Sequence, residues 1–210
     1  MRHHRVVLAL LVVLTAGCAE TELRSLKPEE RPTVTRVFEP LLRAAYGDDA
    51  TKCRVSIGVE DATHYDVRMR RREAGPCDIL MVLTAPTLTE LTPKALQTLL
   101  AHEFGHLEER HATGDVRATE TVGARTDTGH RSRLSVGNQQ FKPDEEAAAD
   151  AAAARLLLAA WRGNNVGCLA TADLYEDIAK DRKRWGTWLS RHPFPERRVD
   201  AVVKACAATR

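Results

Sequence analysis

The sequence lacks an excess of charge of either sign. Its 31 basic and 29 acidic side chains leave a formal charge of +2 over 210 residues. A nearly neutral chain has no general electrostatic attraction for a phosphate backbone, so we expect no nucleic-acid partner. The local basic run at residues 68–72 is interpreted as the solvated end of a strand.

Long apolar runs and internal repeats are also missing. The apolar run at residues 6–14 is shorter than the roughly 20 residues that a transmembrane helix needs, so it does not predict a stable membrane span. The chain length suits one domain with its own hydrophobic core and is short for two. These absences together predict a single folded domain.

The sequence also has no closely spaced pair of cysteines. No two of the five cysteines have the Cys-x-x-Cys spacing of cysteine zinc sites, so a metal site of that kind is disfavoured. Without Cys18, the other four form an even set that allows three disulfide pairings. Cys53 and Cys77 bracket the predicted strands, whereas Cys168 and Cys206 bracket the last two predicted helices. We expect each couple to pair locally in an oxidising compartment.

The N-terminus has the features of an export signal. A basic segment precedes the apolar run, and small residues lead from it to Cys18. Residues 14–18 resemble a bacterial lipobox, in which the cysteine becomes the lipid-modified first residue, although Thr15 stands where a leucine is usual. Ala19 is not the aspartate that resembles an inner-membrane retention signal. We therefore expect a lipoprotein of the outer membrane facing the periplasm, with simple secretion as the alternative.

A polar stretch with two prolines separates this leader from the rest of the chain. We interpret the chain as three segments: a lipoprotein-type signal peptide at 1–18, a tether at 19–32 and a folded domain at 33–210. Apolar spacing predicts a first helix from Val34 to Ala45 that ends at Gly47. We expect three strands to follow and to form one antiparallel sheet, at residues 55–59, 65–69 and 78–84.

The second half of the chain is predicted to be helical. Thr92 and Pro93 form a helix start, with a side-chain cap followed by proline at the first helical position. After an aperiodic loop at residues 112–142, Pro143 opens an alanine-rich helix that continues to Trp161. Apolar periodicity predicts two further helices, at residues 174–189 and 199–206. The predicted fold class is therefore α+β, mainly helical, with a small antiparallel sheet.

Two histidines and a glutamate on the Thr92 helix have the spacing of a zinc-hydrolase site. His102 and His106 are four residues apart, so they lie on one helix face and can bind one metal ion. Glu103 leans toward the coordination position that a catalytic zinc leaves open, where it can act as general base. The structural alternative is a helix that carries two histidines without a metal.

A catalytic zinc also needs a third protein ligand. The longer histidine pattern is not present, because Glu109 and Ala112 stand where glycine and histidine would be. A glutamate from a second helix fits instead. Glu146 and Asp150 lie one turn apart, so Glu146 can bind the metal while Asp150 accepts the second ring proton of a ligating histidine. The alternative is an acidic helix N-terminus without a metal.

These motifs resemble the gluzincin zinc peptidases of the HtpX and CAAX prenyl endopeptidase family, which includes soluble periplasmic members. The resemblance rests on three segments, at residues 99–111, 146–150 and 192–199, of which the last looks like the late His-Pro-x4-Arg element of the family. It implies a zincin-like domain with one zinc ion per chain. It also implies His102, His106 and Glu146 as the zinc ligands, and it implies Glu103 as the general base.

The resemblance gives the late element a role in the same site. It implies that His192 and Arg198 lie near the open side of the metal, where they stabilise the oxyanion or, in a resting enzyme, occlude the zinc. A structural turn at a helix junction is the alternative for His192. The chain departs from the family pattern at residues 65–76, which lack the usual Asn-Ala-Phe and Gly-Gly pairs. This departure concerns the substrate-binding edge strand rather than the zinc site.

The sequence therefore predicts a zinc metalloendopeptidase with protein or peptide substrates and an N-terminal lipid anchor in the membrane. From the resemblance and the export signal, we expect the substrates to be misfolded or stalled proteins of the bacterial envelope. The alternative function is a zinc-binding periplasmic chaperone or assembly factor with little proteolytic turnover. In that alternative, the loop at residues 112–142 and His192 close the site.

Overall fold

The computed structural model describes residues 21–72, 77–109, 132–134, 140–163, 166–193 and 195–208. The helices are α1 (Arg31–Tyr46), α2 (Ala85–Thr89), α3 (Pro93–Glu108), α4 (Pro143–Ala160), α5 (Val166–Lys180), α6 (Gly186–Arg191) and α7 (Pro195–Ala208), with a 3-10 turn at Gly47–Lys52. The strands are β1 (Thr21–Arg24), β2 (Arg54–Glu60), β3 (Val67–Arg71), β4 (Asp78–Thr84) and β5 (Ser132–Leu134). This element order confirms the predicted α+β, mainly helical fold class.

The predicted signal peptide and its Cys18 lie outside the described residues. No helix within the described ranges is both long enough and apolar enough to cross a membrane.

The strands form one mixed sheet in the order β3-β4-β2-β1-β5. Strand β4 lies parallel to β2 on one side and antiparallel to β3 on the other, so the prediction of an antiparallel sheet is wrong. The side chains of β4 explain its central place. Ile79, Met81 and Leu83 are fully buried, and Val82, which points to the opposite face, is also buried. A strand inside a sheet that is covered on both faces suits such a run, which is apolar on both sides.

Two strands lie where the sequence predicts none. Strand β1 lies within the expected tether and pairs with β2. Strand β5 lies within the expected loop and pairs with β1. With four and three residues, these strands are too short to show an apolar alternation. Arg24 at the end of β1 also pairs with the buried Glu30 before α1. Residues 21–30 are therefore part of the folded domain.

The helix predicted at residues 174–189 is two helices. Helix α5 ends at Lys180 and α6 begins at Gly186, and a turn of mostly charged residues lies between them. Glycine is a poor helix former, which favours the break at this point. Trp185 and Trp188 remain buried across the break, so the apolar periodicity continues although the helix does not.

Helices α3 and α4, which carry the predicted motifs, pack with their backbones in close contact. Thr92 caps α3, and its side-chain oxygen accepts a hydrogen bond from the main-chain nitrogen of Ala95. A methyl group on Gly105 would lie only 2.4 Å from the main-chain oxygen of Ala149 in α4. Ala149 and Ala153 are themselves fully buried. Glycine on one helix and alanine on the other therefore allow the two backbones to touch.

The predicted disulfide between Cys53 and Cys77 is present and joins the starts of β2 and β4. Cys206 in α7 is also disulfide-bonded. The side chain of Cys168, its predicted partner, lies outside the described residues. The second predicted pairing therefore stays a prediction.

Replacement of Gly105 by alanine should destabilise the protein by about 1–3 kcal/mol or more, because the main chain of α4 cannot move aside as a flexible side chain would. Gly186→Ala is the matched control, since nothing lies within 4 Å of the methyl group that it adds. The control should stay within about 1 kcal/mol of the wild type. Urea unfolding measures both variants, and equal stabilities would contradict the close helix contact.

Candidate metal centre

Two histidine rings from α3 meet inside the protein. His102 and His106 are fully buried, and their Nε2 atoms lie 3.1 Å apart. Glu146 from α4 approaches both rings, with its Oε2 atom 3.5 Å from Nε2 of His102 and its Oε1 atom 3.6 Å from Nε2 of His106. The structure thus brings together the three side chains that the sequence predicts as metal ligands.

A fourth donor, His192, completes this cluster. Its Nδ1 atom lies 3.3 Å from Nε2 of His102 and 2.9 Å from Oε1 of Glu146. One donor atom from each of the four residues lies within 4.8 Å of the others. In a tetrahedral site with metal–nitrogen distances of about 2.0–2.1 Å, the ligand atoms are about 3.3 Å apart. The four donors therefore fit one metal ion, and a side chain stands where a catalytic site keeps a water molecule.

The histidines are held in the uncharged form that binds metals. Burial, with help from the nearby Arg198 guanidinium, lowers the pKa of His102 to about 4. Burial, with the charges of the neighbouring groups, holds the pKa of His192 well below its ordinary value. Neutral imidazole has a free nitrogen lone pair, so both rings are ready to bind a cation near pH 7.

Asp150 fixes the orientation of His102 in the way the sequence predicts. Nδ1 of His102 donates to Oδ1 of Asp150 over 3.0 Å, which leaves Nε2 free to face the other donors. The Tyr175 hydroxyl also donates to the same carboxylate. Burial alone would raise the pKa of Asp150, but the Arg198 guanidinium and the hydrogen bonds from Arg198 and His102 hold it well below its usual range. Asp150 is therefore an ionised acceptor.

Arg198 lies among the acids and histidines of the cluster, with one guanidinium nitrogen 3.2 Å from Nε2 of His102. Its role near the open side of the metal stays a prediction. Arg198 donates to both oxygens of Asp150, over 2.9 and 2.7 Å, and also pairs with Glu146. Its guanidinium lies 4.4 Å from the centre of the Tyr175 ring. Helix α7 packs against both α4 and α5 and so brings Arg198 to the site. Arg198 thereby pairs with two acids, Glu146 and Asp150.

The predicted general base, Glu103, is buried beside the donor cluster. Its Oε1 atom accepts a hydrogen bond of 2.9 Å from Nε1 of Trp188 and lies 3.3 Å from Nε2 of His192. The Trp188 ring stacks on the His192 ring at 4.4 Å. Burial raises the pKa of Glu103 to about 8. In this arrangement the side chain retains its proton at neutral pH.

Three aromatic residues of the site are not among the residues predicted from the sequence. Phe141 stacks on His106 with ring centres 3.8 Å apart, Tyr175 bonds to Asp150, and Trp188 bonds to Glu103. Tyr175 and Phe141 have no sequence signal beyond being apolar near a helix. Trp188 has one, because it lies four residues before His192 and so shares its side of the helix.

Glu145 has the role that the alternative interpretation gives to the acids at this helix start, namely capping the helix without a metal. Its carboxylate accepts a 2.7 Å hydrogen bond from the main-chain nitrogen of Lys142 and thereby caps α4. The neighbouring Glu146 is turned inward and is fully buried. The two acids therefore divide the two roles, one at the helix cap and one in the donor cluster.

The family model of peptidase family M48 matches residues 77–205. The chain belongs to this family. No curated protein and no solved structure matches the sequence significantly. The matched span begins at Cys77 and contains all four donors together with Glu103, Asp150 and Arg198, so family membership and the geometry support a metalloprotease. M48 membership also confirms the resemblance on which the sequence interpretation rests.

The raised pKa of Glu103 predicts a pH-dependent stability difference. The unfolded carboxyl ionises near its ordinary pKa of 4.5, whereas the folded one ionises near 8. The stability that the neutral form contributes is therefore complete below about pH 4.5 and is lost as the pH rises through about 8. Metal-free wild type should lose melting temperature relative to metal-free Glu103→Gln between pH 5 and pH 8. Parallel melting curves over this range would contradict the buried, protonated carboxyl.

Proposed function

We propose that this chain is a zinc-dependent endopeptidase. The observation that carries the proposal is the convergence of His102, His106 and Glu146 from two helices, with the carboxylate of Glu103 beside them. Two imidazoles and one carboxylate are a common ligand set of hydrolytic zinc sites. Imidazole is also a ligand that suits zinc.

His102, His106 and Glu146 would hold a zinc ion, which would supply the Lewis acidity for activating water and polarising the carbonyl of the scissile peptide bond. Glu103 accepts the proton of the attacking water at its carboxylate and later donates it to the leaving amine. For the first transfer Glu103 has to be ionised, which a divalent cation beside it would favour, whereas burial favours the protonated state where that charge is absent. Asp150 keeps Nε2 of His102 directed at the donor cluster throughout.

Turnover requires His192 to leave its place. Its ring lies between Glu103 and Glu146, at 3.3 Å from the first and 2.9 Å from the second. Water and a peptide carbonyl have to occupy this same space during hydrolysis. Of the two roles that the resemblance implies for His192, the arrangement supports occlusion in a resting enzyme.

A second candidate function follows from the same contact. If His192 stays in place, the protein binds zinc without cleaving peptide bonds, as expected for a chaperone or assembly factor of the periplasm. The observation that favours this candidate is the complete burial of His192, with Phe141 and Trp188 against its ring. Substrate turnover separates the two functions.

Zinc-loaded wild type and zinc-loaded Glu103→Gln, incubated with a permanently unfolded protein, should differ in cleavage rate by about 100-fold or more, because the variant has no general base. Gel electrophoresis with mass spectrometry of the fragments measures the rates. Equal cleavage by both proteins would end the peptidase proposal. Cleavage by neither, with one zinc bound in each, would favour the assembly factor.

The metal ligands are tested by zinc content alone. Glu146→Ala should bind zinc at least about ten times more weakly than the wild type, because one of the ligands is lost. Glu145→Ala is the matched control, since Glu145 caps the helix and does not face the cluster. Unchanged zinc affinity in Glu146→Ala would contradict the ligand assignment.

Location and substrates are also part of the proposal. The N-terminal segment supports a lipoprotein anchored through Cys18 in the outer membrane, and such a location would give the enzyme misfolded or stalled envelope proteins as substrates. A Cys18→Ser protein should leave the membrane fraction in cell fractionation. Unchanged membrane association of that variant would contradict the lipid anchor.

A further inference from the structure

One short segment contacts both Glu103 and the donor cluster. We define the closing segment as residues 184–192, which comprises α6 with two residues before it and His192 after it. Its Trp188 donates to Glu103, and its His192 provides the fourth donor. Both side chains are fully buried. The state of the metal centre therefore depends on what holds this segment in place.

A buried ion pair holds the segment at its His192 end. Arg191 directly precedes His192, and its guanidinium pairs with the carboxylate of Asp66 and donates to the main-chain oxygen of Val67 at 3.4 Å. Both partners are buried, and only 1% of Asp66 is exposed. Neither side chain contacts a metal donor in any described hydrogen bond or ion pair. The pair thus lies beside the cluster and outside it.

The Asp66 side of this pair is rigid. The main-chain nitrogen of Asp66 donates to the hydroxyls of Thr84 and Thr87, at 3.1 and 3.0 Å. The main-chain nitrogen of Thr84 in turn donates to the oxygen of Asp66 at 3.1 Å. These bonds tie Asp66 to the end of the central strand β4 and to α2. Through Asp66, Arg191 is therefore connected to the end of the central strand β4.

The closing segment has further contacts at both ends. The main-chain oxygen of Arg184, at the far end, accepts from Tyr65 over 2.8 Å, and its side chain pairs with Glu90 at the protein surface over 2.6 Å. At the His192 end, the main-chain oxygen of Arg191 accepts a 2.9 Å hydrogen bond from the main-chain nitrogen of Phe141. Among the described ion pairs, the Arg191 guanidinium has Asp66 as its carboxylate partner, so loss of Asp66 would leave that buried charge without one. Asp66 itself has a second partner, Nε of Arg68 at 3.4 Å.

We propose that Asp66 and Arg191 form a positioning pair that keeps His192 in the fourth donor position. Breaking the pair then opens the metal centre to water and substrate. The proposal rests on the proposed zinc peptidase, and it adds a residue outside the matched family span, since Asp66 precedes Cys77. In this proposal the buried Asp66–Arg191 pair positions a metal donor in addition to stabilising the fold.

Cobalt absorption tests the proposal without relying on activity. Bound Co²⁺ has a visible spectrum that changes with the number and type of its ligands, and His192→Ala provides the reference spectrum of a centre without the fourth side chain. Cobalt-loaded Asp66→Asn should have the His192→Ala spectrum. Cobalt-loaded Glu90→Gln, the matched acid-to-amide control at the ion pair with Arg184 of the same segment, should have the wild-type spectrum. A wild-type spectrum in Asp66→Asn would overturn the proposal.

A milder variant and a double variant distinguish loss of the ion pair from a general folding defect. Arg191→Lys keeps the buried charge but loses the planar fork of donors, so its spectrum should move part of the way to that of His192→Ala. If Asp66→Asn does not fold, Arg191→Lys decides, and an unchanged spectrum in that variant overturns the proposal. Adding Asp66→Asn to His192→Ala should cause no further spectral change, whereas a general disruption of the site would cause one.

Peptidase rates separate the failure of this inference from the failure of the proposed function. On zinc-loaded protein, Asp66→Asn and His192→Ala should both raise the cleavage rate about tenfold or more, because an open form of a closed resting state is about 10% populated or less. Cobalt spectra that change as expected without any cleavage would contradict the peptidase and leave the positioning pair standing. A raised rate with an unchanged spectrum would overturn the positioning pair alone.

Discussion

The contact between the backbones of α3 and α4 is the constraint on which the site depends. Gly105 lies next to His106 in the chain, and Ala149 lies next to Asp150. Their close approach therefore brings the histidine face of one helix onto the acidic face of the other. A larger side chain at the contact would separate the helices, and the donor distances of 3.1–3.6 Å within and between them would be lost. The geometry of the donor cluster therefore depends on how these two helices pack.

Charge balance explains why so polar a cluster can be buried. Glu103, Glu146 and Asp150 provide three acids, and Arg198 provides one positive charge among them. With all three acids ionised, the cluster carries a net charge of −2, which a divalent cation would neutralise. Without a cation, the raised pKa of Glu103 removes one negative charge by protonation. The same carboxyl is thus the group that adjusts to the presence or absence of a metal.

The sequence alone could predict the parts of the site that helical spacing determines. His102 with His106, and Glu146 with Asp150, are each one turn apart, so their shared faces follow from the helix period. Helix starts at Thr92 and Pro143 follow from capping chemistry in the same way. These local rules are independent of the rest of the fold, which is why they could be used without a structure.

Features that depend on distant contacts could not be predicted. The parallel pairing of β2 with β4 joins strands that β3 separates along the chain, and β1 and β5 are defined by their neighbours rather than by their own residues. The location of Arg198 depends on the packing of α7 against α4 and α5. The aromatic residues Phe141 and Tyr175 reach the site only through tertiary structure.

The central proposal is that four buried side chains from three parts of the chain hold one zinc ion in the resting protein. X-ray absorption at the zinc edge of the purified, zinc-loaded protein tests it most directly, because imidazole rings, carboxylate oxygens and thiolate sulfurs scatter differently. The account predicts three imidazoles and one carboxylate oxygen at zinc–ligand distances of about 2.0–2.2 Å. Fewer than three imidazoles, or any sulfur ligand, would contradict it.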